Sequence, residues 1–261
     1  MSTGIKEKRT AKLSQLDLRN KRIAIYRKNV HARNLFKGVN GETFHVPETL
    51  MSRQSNFKEF VKINFELNFS NPGAWPDNVT NLPIYKKLKA YSETNYGSAT
   101  IHRILQDNKK ATLQKRKVFK VQYDDGVSGQ EARGAFNYIR LTKNFPNNLP
   151  YKGGERKYAL AIIHHEFGHT RFFRKSNKMK IIEFSLQDER QAVIHLENPI
   201  RMKKGLEPRY TYFRDVGKNG DKGTINIITG EIAIISEGRN TILEYDPTKL
   251  VKIGSKGAYR K

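Results

Sequence analysis

The stretch "AIIHHEFGHTRF", residues 161–172, sets three histidines and one glutamate in an otherwise apolar run. Together with the preceding "ERKYAL" it carries apolar residues at Tyr158, Ile162 and Phe172, with His165 on the same stripe, which predicts a helix. Within it, His165, Glu166 and His169 spell His-Glu-Phe-Gly-His. Positions i and i+4 of a helix share a face, so His165 and His169 can grip one zinc ion through their imidazoles. Glu166 projects beside them, within reach of a metal-bound water as general base. His164 stands five residues from His169, off that face, and reads as a bystander or a donor behind the ligands. Gly168 weakens a helix, which points to close approach by another backbone, such as a strand edge beside the site.

A catalytic zinc takes a third protein ligand and keeps one position open. The residues after His169, "TRFFRKSNK", contain no further histidine, so a carboxylate is expected. Glu189 stands 20 residues after His169, the separation found in thermolysin-like proteases. Glu197 competes with it, and Glu183 is a more distant candidate. "SLQDERQAVIHLENP" (185–199) reads as a second helix, with Ser185 as N-cap, Asp188 and Glu189 in its first turn, and Pro199 closing it. Farther on, Arg209 and Tyr212 form an Arg-x-x-Tyr pair that supplies candidate donors for an oxyanion, with Tyr210 and His195 as weaker ones. Glu197, Asn198 and Arg201 are candidates for a polar network bracing the ligands, a place His195 also suits.

Upstream, residues 1–35 are strongly basic with apolar residues at partly helical spacing, a helix or an arm. "NFSNPGAWPDNVTNLP" reads as a surface loop, and "TNYGSATIHRIL" as the opening of a strand region. "KVFKVQYDDGVSG" alternates like a strand and closes on an Asp-Gly turn signal, predicting a hairpin, with "FNYIRLTK" as a second strand. The tail "GTINIITGEIAIISEGRNTILEY" predicts a hairpin around Thr-Gly. The order is a basic arm, a strand-containing region, two helices and a terminal hairpin: an α+β chain.

Composition sets the outer bounds. The 261 residues suffice for a buried core, and the absence of cysteine removes disulfides, thiolate nucleophiles and cysteine metal sites. The net charge of +24 favours an anionic surface or polymer as partner. That leaves an alternative in which a basic polyanion- or nucleic-acid-binding protein carries the histidines as a structural or zinc site. No apolar stretch approaches a membrane span, and the N-terminus lacks the apolar core of a signal peptide, so export would use another route.

"HHEFGHTRF", "DERQAVIHLENPIR" and "GLEPRYTYF" resemble bacterial toxin-type zinc metallopeptidases across roughly residues 155–213. These include the effector domains attached to the VgrG spike of type VI secretion systems and, more distantly, the NleD-type effector proteases. The Arg-x-x-Tyr element also looks like that of clostridial neurotoxin light chains. The resemblance implies an α+β, zincin-like core with an active-site helix, a second ligand helix and β-hairpins. It further implies one catalytic Zn2+ on His165, His169 and Glu189, with Glu166 as base. Apart from that likeness, the change from basic to mixed composition divides the chain into a basic N-terminal arm or helical region (1–60) and a zincin-like metallopeptidase domain (61–261). The implied activity is that of an endopeptidase effector with a protein or peptide substrate. It would be cytoplasmic in its producer, carried by a secretion machine to a target cell or its periplasm, and matched by an immunity protein.

Overall fold

The structure is a computed structural model and describes residues 36–38, 40–65, 78–114, 117–124, 132–143, 145, 156–174, 182–215, 222–235 and 242–245. The basic arm, most of the Asn- and Pro-rich loop, the Asp125-Gly126 turn and the Glu183 side chain lie outside them.

Three helices come first: α1 (Leu50–Asn64), α2 (Pro83–Glu93) and α3 (Asn95–Leu113). Thr49 caps α1 by accepting the Ser52 N–H, and Pro83 opens α2, where its missing N–H costs nothing. The expected strand at "TNYGSATIHRIL" is the first half of α3. The Thr94 hydroxyl accepts the Gly97 N–H and starts the helix there. Its buried residues Tyr96, Thr100, Ile104, Asn108 and Ala111 recur every three to four positions, one helical face. Packing against α1 and α2 thus overrides the β preference of Tyr, Thr and Ile. The expected domain boundary at residue 60 falls inside α1. Phe57 and Phe60 of that helix belong to one core with Phe167 and Ile163 of the histidine helix, so the folded unit begins before it.

The first sheet has the order β1-β3-β2, with β1 (Lys120–Asp124), β2 (Ala132–Ala135) and β3 (Tyr138–Thr142). The strands on either side of Asp-Gly, β1 and β2, do not pair with each other as the expected hairpin requires. β1 pairs in parallel with β3 (Val121↔Ile139), and the hairpin joins β2 to β3 across Phe136-Asn137 (Gly134↔Ile139). A parallel partner cannot follow a tight turn, and here β2 lies within the connection. Val121, Ile139 and Leu141 are buried on one face, the alternation expected of a sheet covered on one side.

Helix α4 (Ala159–Gly168) is the "AIIHHEFG" helix, buried at nearly every residue. Phe167 stacks on Tyr91 of α2, with centroids 5.6 Å apart. Opposite lies α5 (Ile182–Ala192), which runs through a π turn (Val193–Glu197) into α6 (Asn198–Lys203). Ser185 is therefore interior to α5 and does not cap it. Pro199 likewise does not close the helix. It sits in the first turn of α6, where the wider hydrogen bonding of the π turn, Asn198 N–H to Val193 C=O, accommodates its missing N–H.

The second sheet, β4 (Thr211–Asp215), β5 (Lys222–Asn226), β6 (Ile232–Ile235) and β7 (Ile242–Tyr245), is antiparallel in chain order. Its β5–β6 hairpin turns at Thr229-Gly230, as the sequence suggests, with Gly230 at φ 80° and Asn226 Oδ1 accepting the Ile228 N–H. Ile225, Ile227 and Ile232 pack there with Leu186 and Val193 in a second, smaller core. The architecture is mixed α+β, and among the described residues no helix is long and apolar enough to cross a membrane.

Candidate metal centre

Two glycines let three elements close on α4. A Cβ on Gly168 would stand 2.5 Å from Leu196 Cδ1 and 3.3 Å from Ala192 Cβ. The close neighbour at Gly168 is thus the α5–π helix, and the expected strand edge arrives elsewhere. It is β2, where a Cβ on Gly134 would stand 2.9 Å from His169 Cβ, 3.0 Å from Glu166 C, and nearer still to Glu166 O.

Between these elements His165, His169 and Glu189 converge, with one donor atom from each lying within 4.8 Å of the others. Glu189 Oε2 lies 2.9 Å from His165 Nε2 and 3.2 Å from His169 Nε2, and the two Nε2 atoms are 3.2 Å apart. The far nitrogens face carboxylates. His169 Nδ1 is 2.6 Å from Asp188 Oδ2, which Arg174 also approaches at 3.4 Å, and His165 Nδ1 is 3.1 Å from Glu197 Oε2. A carboxylate at each Nδ1 favours the proton there, so once the Nε2 protons leave, as a metal requires, both Nε2 lone pairs aim at a shared point.

The π turn makes this possible. Eight residues of regular α-helix would rotate Glu197 about 80° from Glu189. The wider turn takes up most of that angle, and both carboxylates reach His165 from the same helix. Glu197 therefore lies behind His165 at its Nδ1, while Glu189 joins the two Nε2 atoms.

Charge in the centre is strongly coupled. Burial works against the imidazolium of His165, but Glu189 and Glu197 outweigh it and lift the pKa to about 9. His169 is also raised well above the usual imidazole value, burial being overcome by Glu189 and Asp188. Glu189 is held well below the carboxylate range because His169 and His165 outweigh its burial. Glu197 falls to about 2, its burial overcome chiefly by Arg209 and His165. Glu166 moves the other way. Burial raises it, and the histidines and the Gly134 N–H that it accepts offset this only in part. In this arrangement the imidazoliums and arginines compensate the buried carboxylates, and a divalent cation would take the place of the two imidazole protons. Two imidazole nitrogens and a carboxylate oxygen are the donor set that zinc takes in catalytic sites.

No family model, curated protein or solved structure matches this chain.

The remaining residues singled out in the sequence divide into two groups. Tyr212, on β4, lays its ring parallel to His165 (centroids 5.8 Å, 3° between planes) and hydrogen-bonds to Glu189. Burial and that carboxylate hold its phenol well above the usual range, so it stays a donor. Arg209 lies over the other side of Tyr212, 4.2 Å from the ring centroid, with Nη1 3.4 Å from Glu197 Oε2 and Nε bonded to the Thr211 carbonyl. Its donors are engaged in bracing. Asn198 clamps the Arg209 backbone through both amide groups, at 3.0 and 2.6 Å. Arg201, fully buried, ties α6 to the Glu207 and Arg156 carbonyls and stands 3.8 Å from Glu197. His195 faces Gln191, and Tyr210 packs against the second core.

Two partners have no prominent sequence signal. Asp188 looks like a helix-terminus charge, although its place next to Glu189 is the clue to a second histidine contact. Gly134 sits in a short "ARGA" with no β-forming side chain. His164 turns away from the centre: Nδ1 is 2.6 Å from the Tyr91 hydroxyl, and Tyr96 and Phe173 flank the ring. Burial lowers its pKa to about 3, so it is a neutral core histidine.

Proposed function

We propose that this chain is a zinc-dependent endopeptidase with a zincin-like core, in which His165, His169 and Glu189 hold the metal and Glu166 is the general base. The observation that carries this is the meeting of both Nε2 atoms with Glu189 Oε2, each imidazole backed by its own carboxylate, beside a buried Glu166. A zinc ion in that position supplies a Lewis acid and a bound water acidified toward neutral pH. Glu166 takes a proton from the water that attacks the peptide carbonyl carbon, and as the C–N bond breaks it returns a proton to the leaving amine. Burial moves its carboxyl upward, the direction that favours taking the proton and holding it for the amine. Tyr212, protonated and beside Glu189, would swing its one O–H from that carboxylate to donate to the developing oxyanion. Arg209 positions Tyr212 and Glu197.

The likeness of residues 155–213 to toxin-type peptidases supports an effector role, with delivery by a secretion machine and neutralisation by an immunity protein. Glu166→Gln is the test: hydrolysis of unfolded casein should fall at least about 10²-fold while zinc stays near one ion per chain. Retained hydrolysis would reject the mechanism.

A further inference from the structure

On the face of the first sheet opposite α4, the side chains of Gln122, Arg140 and Arg133 form one row across β1, β3 and β2. Arg140 Nε and Nη2 donate to Gln122 Oε1 at 3.3 and 3.1 Å, and its guanidinium lies 5.8 Å from the Tyr138 centroid. Arg133, its direct cross-strand neighbour, is exposed. Like charges directly opposite in an antiparallel pair repel. Among the described residues no carboxylate pairs with either arginine, although Asp124 and Glu166 are on neighbouring elements. Two guanidinium forks side by side suit an incoming carboxylate, which each can bind in a planar, bidentate manner.

This pair lies on the strand nearest the chemistry. Among the described residues β2 pairs with β3 alone, and the Gly134 N–H reaches the Glu166 carboxylate. In an antiparallel strand a residue's N–H and C=O point the same way, so at Gly134 the edge of β2 away from β3 looks onto the general base. Arg133, one residue along, sends its side chain to the opposite face from the one that Gly134 keeps clear.

We propose that an acidic, extended peptide segment is the preferred occupant of that edge, with one of its carboxylates seated on Arg133 and reinforced by Arg140. This rests on the peptidase reading and names its substrate class. A strand laid along β2 places a side chain beside Arg133 at cross-strand distance, about 5 Å between Cβ atoms. The excess of 49 basic over 25 acidic residues draws acidic chains toward the protein from afar, and the arginine row selects the register once they arrive.

The experiment uses the full-length, zinc-loaded Glu166→Gln protein and two fluorescein-labelled decapeptides, one with a central Glu-Glu-Glu and its Gln-Gln-Gln twin, read by fluorescence anisotropy. The Glu peptide should bind about tenfold more tightly than its twin. Arg133→Ala should weaken it about threefold and Arg133→Glu about tenfold, with the Gln peptide little changed. Lys86→Glu makes the same charge change on the exposed face of α2 and should alter binding less than twofold, which separates a site from general attraction. Equal losses in Arg133→Glu and Lys86→Glu, or equal binding of the two peptides, would overturn the proposal. So would a labelled oligothymidylate that depends on Arg133 where the Glu peptide does not. If the Glu peptide binds through Arg133 but wild-type zinc protein never cleaves it, the peptidase reading fails and the acidic-segment site stands.

Discussion

Gly134→Ala tests how β2 and α4 meet. The added methyl would stand 2.9 Å from His169 Cβ and 3.0 Å from Glu166 C, with Glu166 O closer still, against ordinary contacts of at least about 3.4 Å. The obstruction is backbone of α4, which also accepts the His169 N–H at 3.2 Å and is packed on its other sides by α2 and the π turn. The helix therefore has little room to retreat, and β2 must move outward. Overpacking of this kind costs about 1–3 kcal/mol, from which Ala recovers about 0.5–1 kcal/mol over Gly in a strand. Because the nearest obstructing atoms are backbone, the upper half of that cost applies, and the net loss of about 1–2.5 kcal/mol lowers the Tm by roughly 2–10 °C in a chain of this size. The shift also pulls the Gly134 N–H from Glu166, so activity should fall by more than stability does. Gly168→Ala is the control. Its methyl meets Leu196 Cδ1 at 2.5 Å, the end of a side chain that can rotate away, and Ala is the better helix former, so its Tm should change by less than about 3 °C. Differential scanning fluorimetry of both variants decides. A Gly134→Ala protein that melts with the wild type and binds zinc equally well would show that β2 does not cross α4 as described.

Asp188→Asn should weaken zinc binding by about 10- to 100-fold, measured by competition with a chromophoric chelator, because His169 loses the carboxylate that orients it. Tyr212→Phe should lower kcat by about 10²-fold with KM little changed and zinc content intact; an unchanged kcat would remove it from the oxyanion role. Tyr91→Phe leaves His164 Nδ1 without its 2.6 Å partner in the core and should cost about 1–3 kcal/mol in urea unfolding, with zinc affinity unaffected. Saturating zinc should raise the wild-type Tm, by about 4 kcal/mol of stabilisation at a thousandfold excess over Kd, and leave His165→Ala unmoved.

The histidine helix and its partners were legible to different depths. The i, i+4 rule picks His165 and His169 over His164 from spacing alone, because a helix face is a local property. Glu189 follows from the demand for a third ligand, and its distance from His169 suits a second helix returning beside the first. The π turn has no sequence signature beyond Pro199, whose position inside a continuing helix marks a change in hydrogen bonding only once the helix is seen. In the sequence Glu197 therefore stays a competitor to Glu189, and only the π turn shows that it reaches the far nitrogen of His165 instead. In α3, Tyr96, Thr100, Ile101 and Ile104 carry β preference, and the cap at Thr94 and the buried stripe are what override it. β2 is four residues of Ala, Arg and Gly, a strand held by β3 and by the space that Gly134 leaves, neither of which local composition records.

The central claim is that one metal ion sits where the three donor atoms meet. A crystal of the zinc-loaded protein, measured on both sides of the zinc absorption edge, tests it most directly. One anomalous peak should appear, bonded to His165 Nε2, His169 Nε2 and a Glu189 oxygen, with Asp188 and Glu197 on the far nitrogens. A peak ligated by Glu197 in place of Glu189, or zinc-loaded crystals with no peak between the two histidines, would contradict the account.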